Sequence, residues 1–157
     1  MGEVFLTALM CGFLGAAEAE VTHKFTNQDR TRRIRVDCET DTHVIEVGLD
    51  GKSSSRDSLH QAVFASLQSG KIPMVMMIDT DGVEGRYEQE MREVTTALGV
   101  AYATCDAAFI HRWAATAPFR ARLGQTDLPS FETRVTHCDL GPVDFPVHGR
   151  LRAREQR

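Results

Sequence analysis

Between Val21 and Leu49 apolar and polar side chains alternate with period two, and this constrains the fold more than any other feature of the chain. Successive side chains of a strand point to opposite faces, so alternation gathers one apolar set on one face. VTHKFT, RRIRVDCE and HVIEVGL are three such runs, separated by the turn-forming NQDRT and TDT. They predict three antiparallel strands. A helix follows, announced by Ser53 to Ser55, with Leu59, Val63 and Leu67 at helical spacing and Ser69-Gly70 at its close. PMVMMID is a nearly unbroken apolar run, as suits a strand buried on both faces. EGRYEQEMREVTTALG gives a second helix, with Tyr87, Met91 and Leu98 inward and Gly99 as its stop. A short strand, VAYATC, and a third helix, AAFIHRWAATAPFRARL, complete the ordered part; the stretch containing Pro129, Pro142 and Pro146 reads as loop. The expected fold is α/β: a mixed sheet of three antiparallel strands followed by αβαβα, with helices on its faces.

The first 19 residues differ from the rest. VFLTALMCGFLGAA has the length of a signal h-region, and Ala17-Glu18-Ala19 fits a small-x-small cleavage site. The expected division is a signal peptide over 1–19, an α/β domain over 20–125 and a loop-rich tail over 126–157 packed on that domain. Export implies a periplasmic or secreted protein, and no later stretch could cross a bilayer. Cys38, Cys105 and Cys138 would remain, an odd count in an oxidising compartment. Cys38 lies on an apolar strand face and reads as a buried thiol, which leaves Cys105 to pair with Cys138.

The net charge is −4, from 18 basic and 22 acidic residues, so the molecule as a whole has no general attraction to nucleic acid or anionic membrane. Residues 1 to 109 hold 10 basic and 17 acidic groups, and residues 110 to 157 hold 8 arginines and 5 acids. The C-terminal RLRAREQR reads as a solvated tail or as a local anion-binding surface.

Alternation also fixes the faces of the second hairpin. Ile34, Val36 and Cys38 must share the core side with Ile45, Val47 and Leu49. A two-residue loop at Thr40-Asp41 sets Val36 opposite Ile45, Arg35 opposite Glu46 and Asp37 opposite Val44. Asp37 and Glu46 are then diagonal neighbours, about 7 to 8 Å apart at the backbone, and both carboxylates can reach one cation. Two carboxylates on adjacent strands suit a hard divalent metal, which lowers the pKa of a bound water and polarises a phosphodiester. The competing structural reading is a cross-strand Arg35–Glu46 ion pair with Asp37 solvated beside Arg33.

With these residues in place, RIRVDCETDTHVIEVG resembles the hairpin of the PD-(D/E)XK nuclease superfamily, which has the restriction-endonuclease-like fold. Within it, RVDCETDTHVIEV followed by a Lys, a Gln-containing helix and a Gly-Lys turn is similar to a group of short exported bacterial proteins. The resemblance runs from about Arg33 to Asp79. It implies that Asp37 and Glu46 are catalytic metal ligands for Mg²⁺ or Mn²⁺, that the activity is a metal-dependent phosphodiesterase or nuclease, and that nucleic acid is a partner. The superfamily's lysine, two residues after the Glu, is replaced by Gly48. The resemblance makes Lys52 its relocated substitute and matches Gln61 to a helix Gln of some members. Read from helical spacing alone, Gln61 lies away from the Leu59, Val63, Leu67 stripe as an exposed amide, and Lys52 as a solvated loop lysine. The alternative implied by Gly48 is a catalytically inert exported domain that keeps the scaffold and binds a partner or nucleic acid.

Other motifs carry less. Asp79-Thr80-Asp81-Gly82 opens like a calcium loop but lacks the remaining ligand spacing, and reads as the polar end of a buried strand. His43, His60, His111 and His137 share no metal-site spacing, and Ser53 to Ser55 has no nucleophile-elbow context.

Overall fold

The computed structural model describes residues 2–16, 18–119 and 138–139. Its elements in chain order are α1 (Glu3–Phe13), β1 (Glu18–Asn27), β2 (Arg30–Glu39), β3 (His43–Leu49), α2 (Ser55–Ser69), β4 (Ile72–Asp79), α3 (Arg86–Leu98), β5 (Ala101–Asp106), α4 (Ala107–Ala115) and β6 (Cys138–Asp139). The strands form one mixed sheet in sequence order, β1 to β6. β1, β2 and β3 run antiparallel, β3, β4 and β5 parallel, and β6 antiparallel to β5. The expected mixed α/β architecture is present. The tail expected over 126–157 and the end of the third helix lie outside the described residues, apart from the pair that forms β6.

Two layers of side chains cover the sheet. Ile45, Val47, Leu49, Met74, Met76 and Ile78 point from β3 and β4 into a core closed by α1 and α4, which contribute Met10, Phe13, Leu14 and Ile110. Val75 and Met77 point the other way, toward Ala62 of α2 and Met91 of α3. β4 is therefore apolar without alternation, because both of its faces are covered.

The stretch expected as a leader is an element of this fold. Leu6, Met10, Cys11, Phe13 and Leu14 of α1 and the turn after it are buried, and Phe13 meets Phe109 and Trp113 of α4 edge-on at 5.4 and 5.5 Å. Cys11 is disulfide-bonded to Cys38 and Cys105 to Cys138, with Cα separations of 5.3 and 4.0 Å. The Cys105–Cys138 pair agrees with expectation. Cys38 does not stand as a free thiol: the helix counted as lost supplies its partner. Two disulfides are compatible with a secreted protein. Among the described residues no helix is long and apolar enough to cross a membrane.

The expected apolar stripes hold in part: Leu59 of α2 and Tyr87 and Met91 of α3 face the core, whereas Leu67 and Leu98 do not. The buried face of α2 is Ser55, Ser58, Ala62 and Ala65, while Leu67 is 74% exposed; on α3 it is Glu88, Met91 and Thr95, while Leu98 is exposed. Small side chains let α2 approach the bulky methionines of β4, and close contact selects size over hydrophobicity. Gly48 shows how close that approach is. A Cβ there would lie 2.8 Å from Met77 Sδ and 2.8 Å from Ser55 Cβ.

Candidate metal centre

The β2–β3 hairpin turns one residue later than expected. Thr40 Oγ1 accepts from the N–H groups of Thr42 (3.3 Å) and His43 (3.0 Å), and the Thr40 N–H donates to the His43 carbonyl, so the loop is Asp41-Thr42. Cys38 therefore lies opposite Ile45 and Glu39 opposite Val44, which corrects the expected Val36–Ile45, Arg35–Glu46 and Asp37–Val44 pairs. The shift alone keeps the parity of the hairpin, but the expected common face holds only for Cys38: it packs with Ile45, Val47 and Leu49, whereas Ile34 and Val36 pack with Val44 and Ala65. Continued by one step, this register sets Asp37 level with Glu46 rather than diagonal to it.

Strand β2 turns on itself at Asp37. Val36 packs with Val44 and Ala65 on the α2 side, whereas Cys38 packs on the α1 side. Glu20, which continues the β1 register opposite Asp37, has a positive φ of 58°. The Asp37 carboxylate reaches across to β3 and accepts the Val47 N–H at 2.9 Å through Oδ2. It comes within hydrogen-bonding reach of the Glu46 carboxyl group.

Glu46 is 2% exposed, and its Oε1 is buried with no hydrogen-bond partner among the described residues. Burial first, and then the neighbouring Asp37 charge, push its pKa up to about 8. Burial also raises Asp37, offset by the Val47 N–H. At neutral pH Glu46 therefore favours its protonated form. Two neighbouring groups act on the pair: the positive charge of Arg35 favours both carboxylates, and Glu3, at the start of α1, opposes ionisation of Asp37. Arg35 is not the cross-strand partner of Glu46; it lies opposite Thr22 and approaches Glu20 at 3.6 Å. Glu3 escapes sequence reading because it belongs to the apparent leader. No local pattern ties it to a residue 34 positions away.

Lys52 and Gln61 stand apart from this pair. Lys52 is exposed in the turn between β3 and α2, its N–H donating to the Leu49 carbonyl at 3.1 Å. Gln61 is half-buried beside the small-residue stripe of α2, where an exposed amide was expected from spacing. Among the described residues no hydrogen bond or ion pair joins either to Asp37 or Glu46. Gly48, where the resemblance would place a lysine, is closed off by Ser55, whose hydroxyl donates to the Leu49 carbonyl at 2.6 Å.

A second acidic group forms at the C-terminal ends of the parallel strands. Asp50, Asp79 and Asp81 bring ligand atoms within 4.8 Å of one another and could hold a metal ion. Each also has a local structural task. Asp50 accepts from the Thr80 N–H (2.9 Å) and hydroxyl (2.7 Å), Asp79 from the N–H groups of Asp81 and Gly82, and Asp81 from Val83. The reading of Asp79 to Gly82 as a polar strand end agrees with these bonds, while Asp50 becomes part of the group only through the parallel pairing of β3 with β4. Comparison with family models, curated proteins and solved structures gives no match.

Proposed function

We propose that the chain is a metal-dependent phosphodiesterase of nuclease type, with Asp37 and Glu46 holding Mg²⁺ or Mn²⁺. The observation that carries this reading is Glu46 Oε1. A buried carboxyl oxygen without a partner is a costly feature, and a hard divalent cation beside a second carboxylate answers it. Further support comes from the antiparallel β1–β2–β3 order and the α2 crossover into parallel β4, which agree with the superfamily resemblance. When bound, the ion supplies Lewis acidity toward a phosphodiester. Asp37 is oriented for its part by the Val47 N–H, and Glu46 gives up its proton as it becomes a ligand. Lys52, exposed in the β3–α2 turn, is the cation that the resemblance would assign to the phosphate, although it stands apart from the carboxylate pair.

Calorimetric titration with Mn²⁺ at pH 7 tests the site. Binding with release of about one proton is expected, lost in Asp37→Asn and in Glu46→Gln. Both variants should also lose Mg²⁺- or Mn²⁺-dependent cleavage of single- and double-stranded nucleic acid. Metal binding without cleavage supports a second reading, an inert exported domain that binds a partner or nucleic acid. The filled space at Gly48 favours it, because no lysine side chain fits there without displacing Ser55.

A further inference from the structure

Beyond Cys38, β2 parts from β3, and from Val21 to Val36 strands β1 and β2 pair, among the described residues, only with each other. The register sets Thr22 beside Arg35, Lys24 beside Arg33 and Thr26 beside Thr31, so these six side chains share one face. All six are exposed. The opposite face is occupied: Ile34 and Val36 pack with Ala65 of α2, and Phe25 meets Phe64 edge-on at 5.0 Å. The ribbon is thus anchored on one side and open on the other. Arg30 and Arg32, both exposed, extend the positive charge to its outer end.

Charge is strongly segregated between this ribbon and the body. Five of the ten Lys and Arg residues in the first 109 positions lie between Val21 and Arg35, against one acid, Asp29. Of the other 16 acids of that stretch, Glu18, Glu20, Asp37 and Glu39 lie at the inner ends of the same two strands, and the rest lie elsewhere, including Asp50, Asp79, Asp81 and Glu88 at the end of β4 and in the turns and helix that follow β3 and β4. Among the described residues of the first 109 positions, this face is where a polyanion is most attracted. The Glu20–Arg35 contact, 3.6 Å and more than half exposed, is too weak to withhold Arg35 from a phosphate.

We propose that the Lys24, Arg33, Arg35 face of the β1–β2 ribbon docks the phosphodiester backbone of a nucleic acid and leads it toward Asp37, a proposal that deepens the reading of the Asp37–Glu46 site. Same-face residues of a strand recur about every 6.6 Å, a repeat comparable with that of successive phosphates in an extended single strand. The threonine hydroxyls between them add neutral donors to phosphate oxygens. Of the ribbon's two rings, Phe25 is turned away against Phe64 and the His23 imidazole, on the same face, meets Glu39 at 2.6 Å, so no base-stacking platform accompanies the charges and binding is independent of sequence.

The test is fluorescence anisotropy of the full-length, disulfide-intact protein with a labelled single-stranded oligonucleotide and with its duplex, in chelator. Three phosphate contacts predict that affinity for the single strand falls with salt at a log–log slope of about −2. The variant Lys24→Gln/Arg33→Gln/Arg35→Gln should bind at least about tenfold more weakly with a flatter slope. Arg33→Glu alone should weaken binding in the same direction, and Arg86→Gln on α3 should leave it unchanged. Binding through these residues supports the proposal, and the tighter arm identifies the strandedness. Unchanged affinity in the triple variant, or no binding of either oligonucleotide at low salt, overturns it. Because the metal is chelated, this outcome is separate from the Mn²⁺ titration, and either can fail while the other holds.

Discussion

Glu46 is held under two opposed demands. Its folded pKa of about 8 lies above the ordinary 4.5, so between those values the folded state binds more protons than the unfolded chain. The sign follows directly. The contribution of this group is fully present below pH 4.5 and is lost as pH rises toward and through 8, by an amount on the order of a few kcal/mol. Urea unfolding of wild type between pH 5 and 9 should show that decline. Glu46→Gln, which cannot ionise, should flatten it and be the more stable form at pH 9 while binding no Mn²⁺. A wild-type curve that rises over this range would contradict the buried, protonated carboxyl group. Gly48 poses the reverse problem of space: a Cβ meets Ser55 and Met77 at 2.8 Å. Met77 can move its sulfur, but Ser55 is fixed at the N-terminal end of α2, so Gly48→Ala should destabilise by about 1–3 kcal/mol in thermal unfolding.

At the scale of elements, α1 decides how the hairpin is held. It covers the α4 side of the sheet with Met10, Phe13 and Leu14 and is tied to β2 through Cys11–Cys38, one residue from Asp37. Cys11→Ser/Cys38→Ser should lower stability by about 2–4 kcal/mol, the usual range for one disulfide. A chain beginning at Glu20 loses the helix altogether, so it should bind hydrophobic dye and show reduced near-ultraviolet circular dichroism relative to full-length protein. Native-like spectra for that truncated chain would favour a removable leader. N-terminal sequencing of protein from its native host gives the independent answer.

At the scale of the whole molecule, two acidic groups compete for the description of metal centre. One is the buried pair between β2 and β3; the other is the turn-bound cluster after β3 and β4. A cation bound by the folded state alone stabilises it by mass action, about 2.7 kcal/mol at a concentration 100 times its Kd. The thermal midpoint should rise with Mn²⁺ in wild type and in Asp79→Asn, and stay constant in Glu46→Gln. The opposite pattern would move the metal centre to Asp50, Asp79 and Asp81.

Local periodicity determined β1 to β5, α2 to α4 and their order, because the two-residue and 3.6-residue repeats are properties of neighbouring side chains; α1 and β6 were not legible in this way. Periodicity also brought Asp37 and Glu46 to one hairpin, since their shared parity survives the one-residue shift of the turn. The tertiary structure decided what depends on distant partners. The apolar run of α1 is compatible with a leader and with a core helix alike, and its contacts with Cys38, Phe109 and Trp113 follow from the tertiary structure alone. Part of the α2 stripe was misread because burial there follows the approach allowed by Gly48, not the hydrophobicity of Leu67. Glu3 and Asp50 reach their acidic neighbours through helix packing and parallel pairing, long-range events that no short window of sequence encodes.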